Sequence, residues 1–427
     1  MTAKAGVLRG RDFRTFYAGY ATSLLGTSMS TLAVAFAVLD VGGDAGDLGW
    51  VMAAGIAPQV VFMLLGGVVA DRLGRRRVML AADVTRCAAQ TVFAAALFLE
   101  RPHIWLFVLL SAVRGTGEGF FKPALTALTV EITPPADLGD ANALLGLARS
   151  AATVAGPALA GALVALAGPA VVIAVDAASY GASVLALGLL RVPATRRAVG
   201  RSLLRDLSEG WAEFRAHPWL VATTVQFGCI NLLVWGPFLL LGPVLAEQRL
   251  GGAGAWGAIM AGYGAGSVAG GLLALDRRPR RPLVCATVAT LGYGLPCALL
   301  AVHAAVAVIT AGALVAGAAS ALAAAFHGTV MQQRVPAGAL ARVSSFQSLG
   351  SYSFGPLGLA AAGPVAAVVG SGPVLWFAAA WATLGGLVVL SLPTVRAIRR
   401  PSVPATAAGQ PPPRGRRRTG ARSGGGR

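Results

Sequence analysis

The stretch Gly67-Val68-Val69-Ala70-Asp71-Arg72-Leu73-Gly74-Arg75-Arg76-Arg77 separates two long apolar runs, at 48–70 and 78–99. A transmembrane helix needs about 20 predominantly apolar residues, and each run meets that length. Four arginines and one aspartate within seven residues are too costly to place in the hydrocarbon core of a bilayer. The stretch therefore predicts a short basic loop that joins two membrane spans.

The composition extends this pattern to the whole chain. Of 427 residues, 56% are hydrophobic and only 12% are charged, with a mean hydropathy of +0.70. Soluble domains carry about 25% charged residues, so a soluble enzyme, a coiled coil and a disordered regulator are excluded. The sequence predicts an all-α membrane protein with twelve spans, at 13–39, 48–70, 78–99, 104–130, 141–166, 170–191, 219–245, 254–275, 283–302, 304–331, 343–369 and 371–392.

The net charge of +18 is distributed unevenly among the loops. Nearly all Lys and Arg residues lie before the first span, in alternate gaps between spans, or after the last span; the gap 131–140, which has none, is an exception. The positive-inside rule then predicts a multi-pass protein of a bacterial cytoplasmic membrane with both termini in the cytoplasm. Because the charge is divided among loops that flank the membrane, we expect lipids and not nucleic acid as its partner.

The spans fall into two groups of six. The longest interior polar stretch, 192–218, contains an amphipathic helix expected at the cytoplasmic interface. Landmarks recur across it at offsets of 199–204: Gly66-Gly67 with Gly270-Gly271, Gly156-Pro157 with Gly355-Pro356, and Gly168-Pro169 with Gly372-Pro373. We therefore predict parallel six-helix halves at 1–191 and 219–392, a linker at 192–218 and a disordered basic tail at 393–427.

The loop resembles the G-x-x-x-D-R-x-G-R-R signature of the major facilitator superfamily, and it lies between spans 2 and 3 as in that family. The resemblance implies a conformational latch for the outward-facing state, made of Gly67, Asp71, Arg72, Gly74, Arg75 and Arg76. Gly67 is expected to let span 2 approach a neighbour, and Glu131 is the predicted acidic partner of the arginines. The alternative is a loop that only sets topology. The second half has Leu275 at the Asp71 position, so we expect the latch in the first half alone.

Further motifs are similar to the branch of this family that includes enterobactin exporters and macrolide efflux pumps. They are Phe120-Phe121-Lys122-Pro123-Ala124, Asn142-Ala143-Leu144 and Asp176-Ala177-Ala178-Ser179. Gly156-Pro157 in span 5 partly matches the antiporter motif and predicts a bend in that helix. The resemblance implies secondary active export.

Two charges, Arg114 and Glu118, lie one turn apart near the middle of span 4. A lone charge at the bilayer centre costs about 2.5–3.5 kcal/mol on insertion scales, so an Arg114–Glu118 pair facing the bundle interior is expected. In the functional interpretation Glu118 carries the coupling proton and Arg114 tunes it. In the structural one the pair is a permanent salt bridge. Asp83 and Arg86 in span 3 are expected to form a separate local pair.

In the family, spans 1, 4, 7 and 10 line the cleft. Here they offer Tyr20 and Thr27 in span 1 and Gln226, Asn231 and Trp235 in span 7 as cargo contacts, or else as ordinary helix–helix hydrogen bonds. Such an apolar cleft favours a hydrophobic or amphipathic small molecule, such as a drug or natural product, exported by proton antiport. A siderophore exporter, an importer of a hydrophilic nutrient and a membrane scaffold or sensor remain alternatives. We expect a monomer, no enzymatic activity, no cofactor and no metal.

Overall fold

The computed structural model describes residues 6–99, 102–191, 203–277, 279–336 and 339–399. Twelve helices in these ranges are long and apolar enough to cross a membrane, and the described residues contain no strand. The all-α fold with twelve spans is therefore confirmed. Residues 192–202 and most of the predicted tail lie outside the described residues, and the division into domains at 192–218 stays a prediction.

The spans agree with the predicted apolar runs to within a few residues. The first six are Arg11–Asp40, Ala45–Leu73, Arg75–Leu99, Ile104–Ile132, Leu138–Ala167 and Pro169–Leu189. After a linker helix at Leu203–Arg215, the last six are Pro218–Leu250, Ala253–Asp276, Pro282–Ala301, Val306–Arg334, Arg342–Val369 and Ser371–Ser391. We call the end where span 1 begins and span 12 ends the linker end, and the opposite end the far end.

Three spans of the second half are irregular near their middle. Span 7 contains a π-helical turn at Asn231–Trp235, span 9 a 3-10 turn at Leu291–Gly294, and span 11 a break between Tyr352 and Gly355. Each irregularity comes directly before a helical segment with proline in its first turn, namely Pro237, Pro296 or Pro356. Proline lacks the amide hydrogen and collides with the carbonyl four residues earlier, so it removes an α-helical hydrogen bond from the preceding turn and favours an irregular turn there.

Glycines make the tightest joints between consecutive spans. Gly74, Gly168 and Gly370 have φ angles of +93°, +79° and +91° at the joints of spans 2–3, 5–6 and 11–12. Side chains other than hydrogen are disfavoured in this region of backbone space. The second-half counterpart of Gly168 is therefore Gly370. The sequence pattern had predicted Gly372 for this position, and that prediction is wrong.

Close helix contacts repeat between the halves. A Cβ atom on Gly66 would lie 2.8 Å from the carbonyl oxygen of Gly119 in span 4, and one on Gly270 would lie 2.7 Å from Cα of Ala318 in span 10. Gly156 likewise touches span 1, and its counterpart Gly358, not Gly355, touches span 7. The predicted close approach at Gly67 is wrong: the contact is made by Gly66, because Gly67 lies one position round the helix from span 4.

The two halves share their buried core only toward the far end. One cluster of buried residues draws on both halves, including Phe36 and Leu48 of the first and Phe238 and Trp256 of the second. At the linker end the buried residues form two separate clusters, one in the first half and one formed by the second half with the linker helix. A cleft between the halves therefore opens at the linker end.

Backbone-to-backbone contacts close the far end. A Cβ on Gly363 of span 11 would lie 2.5 Å from the carbonyl oxygen of Ala45 in span 2. A Cβ on Gly161 of span 5 would lie 2.7 Å from the carbonyl oxygen of Ala253 in span 8. Spans 2 with 11 and 5 with 8 thus meet through glycine faces, the arrangement that lets membrane helices pack closely.

The linker helix is docked and does not lie free on the bundle. The rings of Trp211 and Phe346 of span 11 contact each other at a tilt of 53°, with 5.5 Å between ring centroids, and Phe214 is buried beside them. Glu209 forms an ion pair with Arg342 at 3.2 Å. The predicted interfacial helix is therefore attached to the second half through span 11.

The alternation of spans leads to a test of topology. We expect single cysteines at Asp40 and Gln248, exposed at the far end, to react with a membrane-impermeant thiol reagent in intact cells. Cysteines at Ala136 and Ala216, exposed at the linker end, should react only after permeabilisation. The background should lack Cys87, Cys229, Cys285 and Cys297. Labelling of both pairs from the same side would contradict the twelve-span arrangement.

Candidate functional site

A buried ion cluster lies between spans 3, 4 and 6. The guanidinium group of Arg86 donates to the carboxylate of Asp83 one turn away and to Oε2 of Glu118 in span 4 at 2.5 Å. Lys122 Nζ lies 3.4 Å from the other oxygen of Glu118, and Ser183 in span 6 donates to Asp83 at 2.6 Å. Two cations thus neutralise two carboxylates, as burial in a medium of low polarity requires.

Aromatic and small residues shape the space for Arg86. The centre of its guanidinium lies 4.2 Å from the ring of Phe121 and 4.5 Å from the ring of Tyr180, at cation–π distances. A Cβ on Gly117 would lie 2.7 Å from Cγ of Arg86, so glycine is needed there for the arginine to cross span 4. Gly119, on another face of span 4, allows the backbone of span 2 to approach closely.

The predicted ion pair between Arg114 and Glu118 is wrong. Arg86 from span 3 and Lys122 occupy the carboxylate of Glu118. Arg114 forms no hydrogen bond or ion pair with any residue that the structure describes, and one of its terminal nitrogens lies against Gly55 of span 2. The prediction failed because it compared neighbours on one helix, whereas the stronger partner comes from another. The predicted Asp83–Arg86 pair is present, but it is part of this larger cluster.

A third carboxylate, Asp176 of span 6, is hydrogen-bonded only to neutral side chains among the described residues. Gln90 Nε2 donates to Asp176 Oδ2 at 2.5 Å and to Ser30 Oγ at 2.6 Å. Ser179 Oγ lies 3.4 Å from the other carboxylate oxygen. Sequence reasoning overlooked Gln90, although Asp83, Arg86 and Gln90 recur at helical spacing on one face of span 3, which could have indicated a polar face.

The basic loop contacts the linker end of its own half. Arg75 Nη1 lies 3.6 Å from Glu131 and donates to the carbonyl oxygen of Ala127 at 3.0 Å, while its Nη2 lies 3.5 Å from Asp71. Arg76 donates to the last carbonyls of span 6, at Leu187 and Gly188. The predicted contact to Glu131 is therefore present. Arg72 is exposed, and 47% of the Asp71 side chain remains accessible.

The predicted cargo contacts divide into two groups. Tyr20 and Gln226 are only 5% and 6% exposed: Tyr20 stacks on Phe16, and Gln226 donates to Thr290 of span 9 at 3.0 Å. Their placement in the cleft is wrong for this conformation, because both pack inside their own half. Thr27, Asn231 and Trp235 are partly exposed.

The partly exposed residues also have partners within their halves. Thr27 is hydrogen-bonded to the hydroxyl of Tyr180 at 2.8 Å, and Asn231 donates to the carbonyl oxygen of Phe227 at 2.9 Å. Trp235, on the π-helical turn of span 7, packs at a tilt of 42° against Tyr263 of span 8, with ring centroids 4.8 Å apart.

Gly156 and Pro157, the predicted bend, lie inside one continuous helix from Leu138 to Ala167. Gly156 admits the side chain of Ser28, whose hydroxyl donates to the carbonyl oxygen of Ala152 at 2.8 Å. The carbonyl of Pro157 in turn contacts span 8 at Gly257. The element therefore joins span 5 to both span 1 and the second half.

We predict that Arg86 matters far more for stability than Arg114. Arg86→Gln leaves Asp83 and Glu118 without the guanidinium that bridges them. Removing one partner of a buried ion pair typically lowers the free energy of unfolding by about 3–5 kcal/mol. Arg114→Gln breaks no hydrogen bond or ion pair to the described residues and should change the thermal unfolding temperature of the detergent-purified protein only slightly. Equal destabilisation by the two variants would contradict this assignment.

Comparisons with known proteins agree with this fold. Residues 16–359 match the family model described as Major Facilitator Superfamily. Macrolide efflux protein A of Streptococcus pyogenes is 25% identical over 243 residues, which cover 56% of this chain and 60% of that protein. The match thus spans less than two thirds of that relative. The multidrug efflux pump Tap of Mycolicibacterium fortuitum is 26% identical over 406 residues, 90% of this chain and 96% of that protein.

Solved structures show the same arrangement of helices. The nucleoside transporter NupG superposes with a TM-score of 0.71 at 13% identity, covering 89% of this chain and 98% of that one. A peptide transporter of the POT family, in complex with alafosfalin, gives 0.72 at 12% identity, covering 91% and 96%. The family match extends over most of the chain, and the chain accordingly belongs to the Major Facilitator Superfamily.

Proposed function

We propose that the chain exports a small hydrophobic or amphipathic molecule from a bacterial cell in exchange for protons. The name of Tap, a multidrug efflux pump aligned over almost its whole length, supports export. The name of macrolide efflux protein A makes a macrolide the first cargo to test. Antibiotic resistance is the expected consequence for the cell.

Charge asymmetry between the halves supports proton exchange. After Glu247 the only acidic residue in the chain is Asp276, at the end of span 8. Of the two histidines in the second half, His303 is exposed at the far end beside Arg249. His327 is buried with Nε2 3.0 Å from the hydroxyl of Thr223 and with Trp219 and Phe227 packed around it. A proton carrier is therefore sought among the carboxylates of the first half.

Glu118 is the carboxylate of the ion cluster nearest to solvent. Its side chain is 17% exposed, whereas Asp83 has no exposed surface. Because Arg86 and Lys122 hold its two oxygens, protonation of Glu118 would weaken both ion pairs and loosen span 4 from span 3. The contact of Glu118 with both Arg86 and Lys122 is the observation that carries the proposal. Arg114, one turn away, acts on Glu118 through its field and not through a contact.

The direction of opening follows from the proposed topology. If the linker end faces the cytoplasm, the cleft described above is inward-facing. In that state Asp71 is largely free of the second half, and the contacts of Arg75 to Asp71 and Glu131 lie within the first half. We propose that Gly74 and this cluster act as the latch of the outward-facing state, when the linker ends of the halves meet and Asp71 becomes covered.

The coupling is tested in inverted membrane vesicles with radiolabelled erythromycin as cargo. We expect Glu118→Gln, which imitates the protonated side chain, to abolish uphill uptake driven by a proton gradient while keeping downhill exchange of erythromycin. Glu118→Asp should retain partial activity with an altered pH profile, because it keeps the charge but shortens the side chain. Addition of erythromycin should release protons in the wild type.

Glu247→Gln, which removes an exposed carboxylate at the far end, is the matched control and should transport normally. Uphill transport by Glu118→Gln at the wild-type rate would make Glu118 a structural partner of Arg86 and contradict its role in coupling. Erythromycin uptake without any proton movement in the wild type would contradict proton antiport itself.

A further inference from the structure

Asp176 differs from the other buried carboxylates in its partners. Its side chain has no exposed surface, and its hydrogen-bond donors are the neutral groups of Gln90 and Ser179. Asp83 and Glu118, by contrast, each touch the guanidinium of Arg86. Taking a carboxylate out of water without a counter-ion in contact is costly, and a group in that position tends to neutralise by binding a proton.

Spans 1, 3, 4 and 6 supply the polar and charged groups around Asp176. Span 1 contributes Ser30 and the backbone of Gly26, where a Cβ would lie 2.8 Å from Asp176 Oδ1. Span 3 contributes Gln90 and, farther off, Arg86; span 4 contributes Arg114; and span 6 itself contributes Tyr180. None of these cations forms an ion pair with Asp176 in the part of the chain that the structure covers.

Asp176, the ion cluster and Arg114 together form a polar layer inside the first half. Its positive and negative charges are equal in number, but not every charge has an oppositely charged partner in contact. The layer holds three carboxylates, Asp83, Glu118 and Asp176, and three cations, Arg86, Lys122 and Arg114. The four members of the ion cluster neutralise one another. Arg114 and Asp176 are left as a cation and an acid that lie within electrostatic reach of each other yet do not touch. Such a separation is expected if Asp176 carries no charge here.

We propose that Asp176 is a second proton-binding site, which holds a proton in the conformation with the cleft open at the linker end. Gln90 positions its carboxyl group, and the amide oxygen Oε1 of Gln90, which is buried without a partner among the described residues, is available to accept from it after a change of rotamer. The inference extends the proton exchange proposed above and rests on it for its role in transport.

Loss of this proton changes the electrostatics of spans 4 and 6. The O–H bond of the carboxyl group breaks, the proton passes to water, and a carboxylate remains on Asp176. Arg114 then becomes its counter-ion, because no other cation of the layer lacks an ion pair. Because Asp176 has no exposed surface here, the exchange belongs to a conformation in which water reaches it. Asp176 thus stores a proton at a site separate from Glu118, whose side chain is 17% exposed.

Infrared difference spectra of the purified transporter, acid minus alkaline, test this site without any cargo. We expect a carbonyl band of a protonated carboxyl group in the wild type and in Glu118→Gln, and its loss in Asp176→Asn. Gln90→Leu keeps the carboxyl group but removes its partner, so the band should remain and shift in frequency. Asp40→Asn, at an exposed acid of the far end, is the matched control and should keep the band unshifted.

Persistence of the full band in Asp176→Asn, or its loss in Glu118→Gln alone, would overturn the proposal. The Gln90→Leu spectrum keeps the test decisive if Asp176→Asn does not fold, since an unshifted band there would also contradict it. Vesicle experiments separate this result from the proposed function. Absence of proton movement in wild-type vesicles would refute antiport while leaving the infrared assignment intact, and normal antiport with no Asp176 band would refute only this site.

Discussion

The guanidinium group of Arg86 is the interaction on which the first half depends. It lies in a bundle interior where an unpaired charge is expensive, and it joins Asp83 on its own helix to Glu118 on the next. Tyr180 and Phe121 stack on its faces, and Gly117 provides the space that it crosses. Spans 3, 4 and 6 are thereby tied to one charged centre, so a proton that reaches Glu118 changes how these helices are held together.

A second constraint decides where the halves can move. At the far end, glycine faces of spans 2, 5, 8 and 11 bring backbones into contact, whereas at the linker end each half closes its own hydrophobic cluster. Packed interfaces of this kind favour discrete arrangements over gradual deformation. The separate clusters let the linker ends meet or part without unfolding either half, and close glycine contacts recur at corresponding helix pairs of both halves.

Sequence reasoning found the elements that depend on local pattern. The spans follow from apolar length, and the basic loop with Gly74 and Glu131 follows from its spacing. The predictions that failed depend on how each helix is rotated about its own axis. Glu118 pairs with Arg86 of a different span, and Gln226 faces span 9 and not the cleft. Gly66 makes the close contact that was predicted for Gly67. Hydropathy in an almost wholly apolar chain carries little information on rotation, since lipid-facing and buried positions are similar in composition.

In the proposed mechanism the two halves alternate between a cleft open at the linker end and a cleft open at the far end. Double electron–electron resonance measures this alternation directly. Spin labels at Ala136 and Ala216 report the linker end, and labels at Asp40 and Gln248 report the far end; all four residues are exposed. When erythromycin or a change of pH shifts the transporter in liposomes, the linker-end and far-end distances should change in opposite directions. Asp71→Asn should favour the long linker-end distance. Two distances that stay constant, or that lengthen together, would contradict alternating access by these halves.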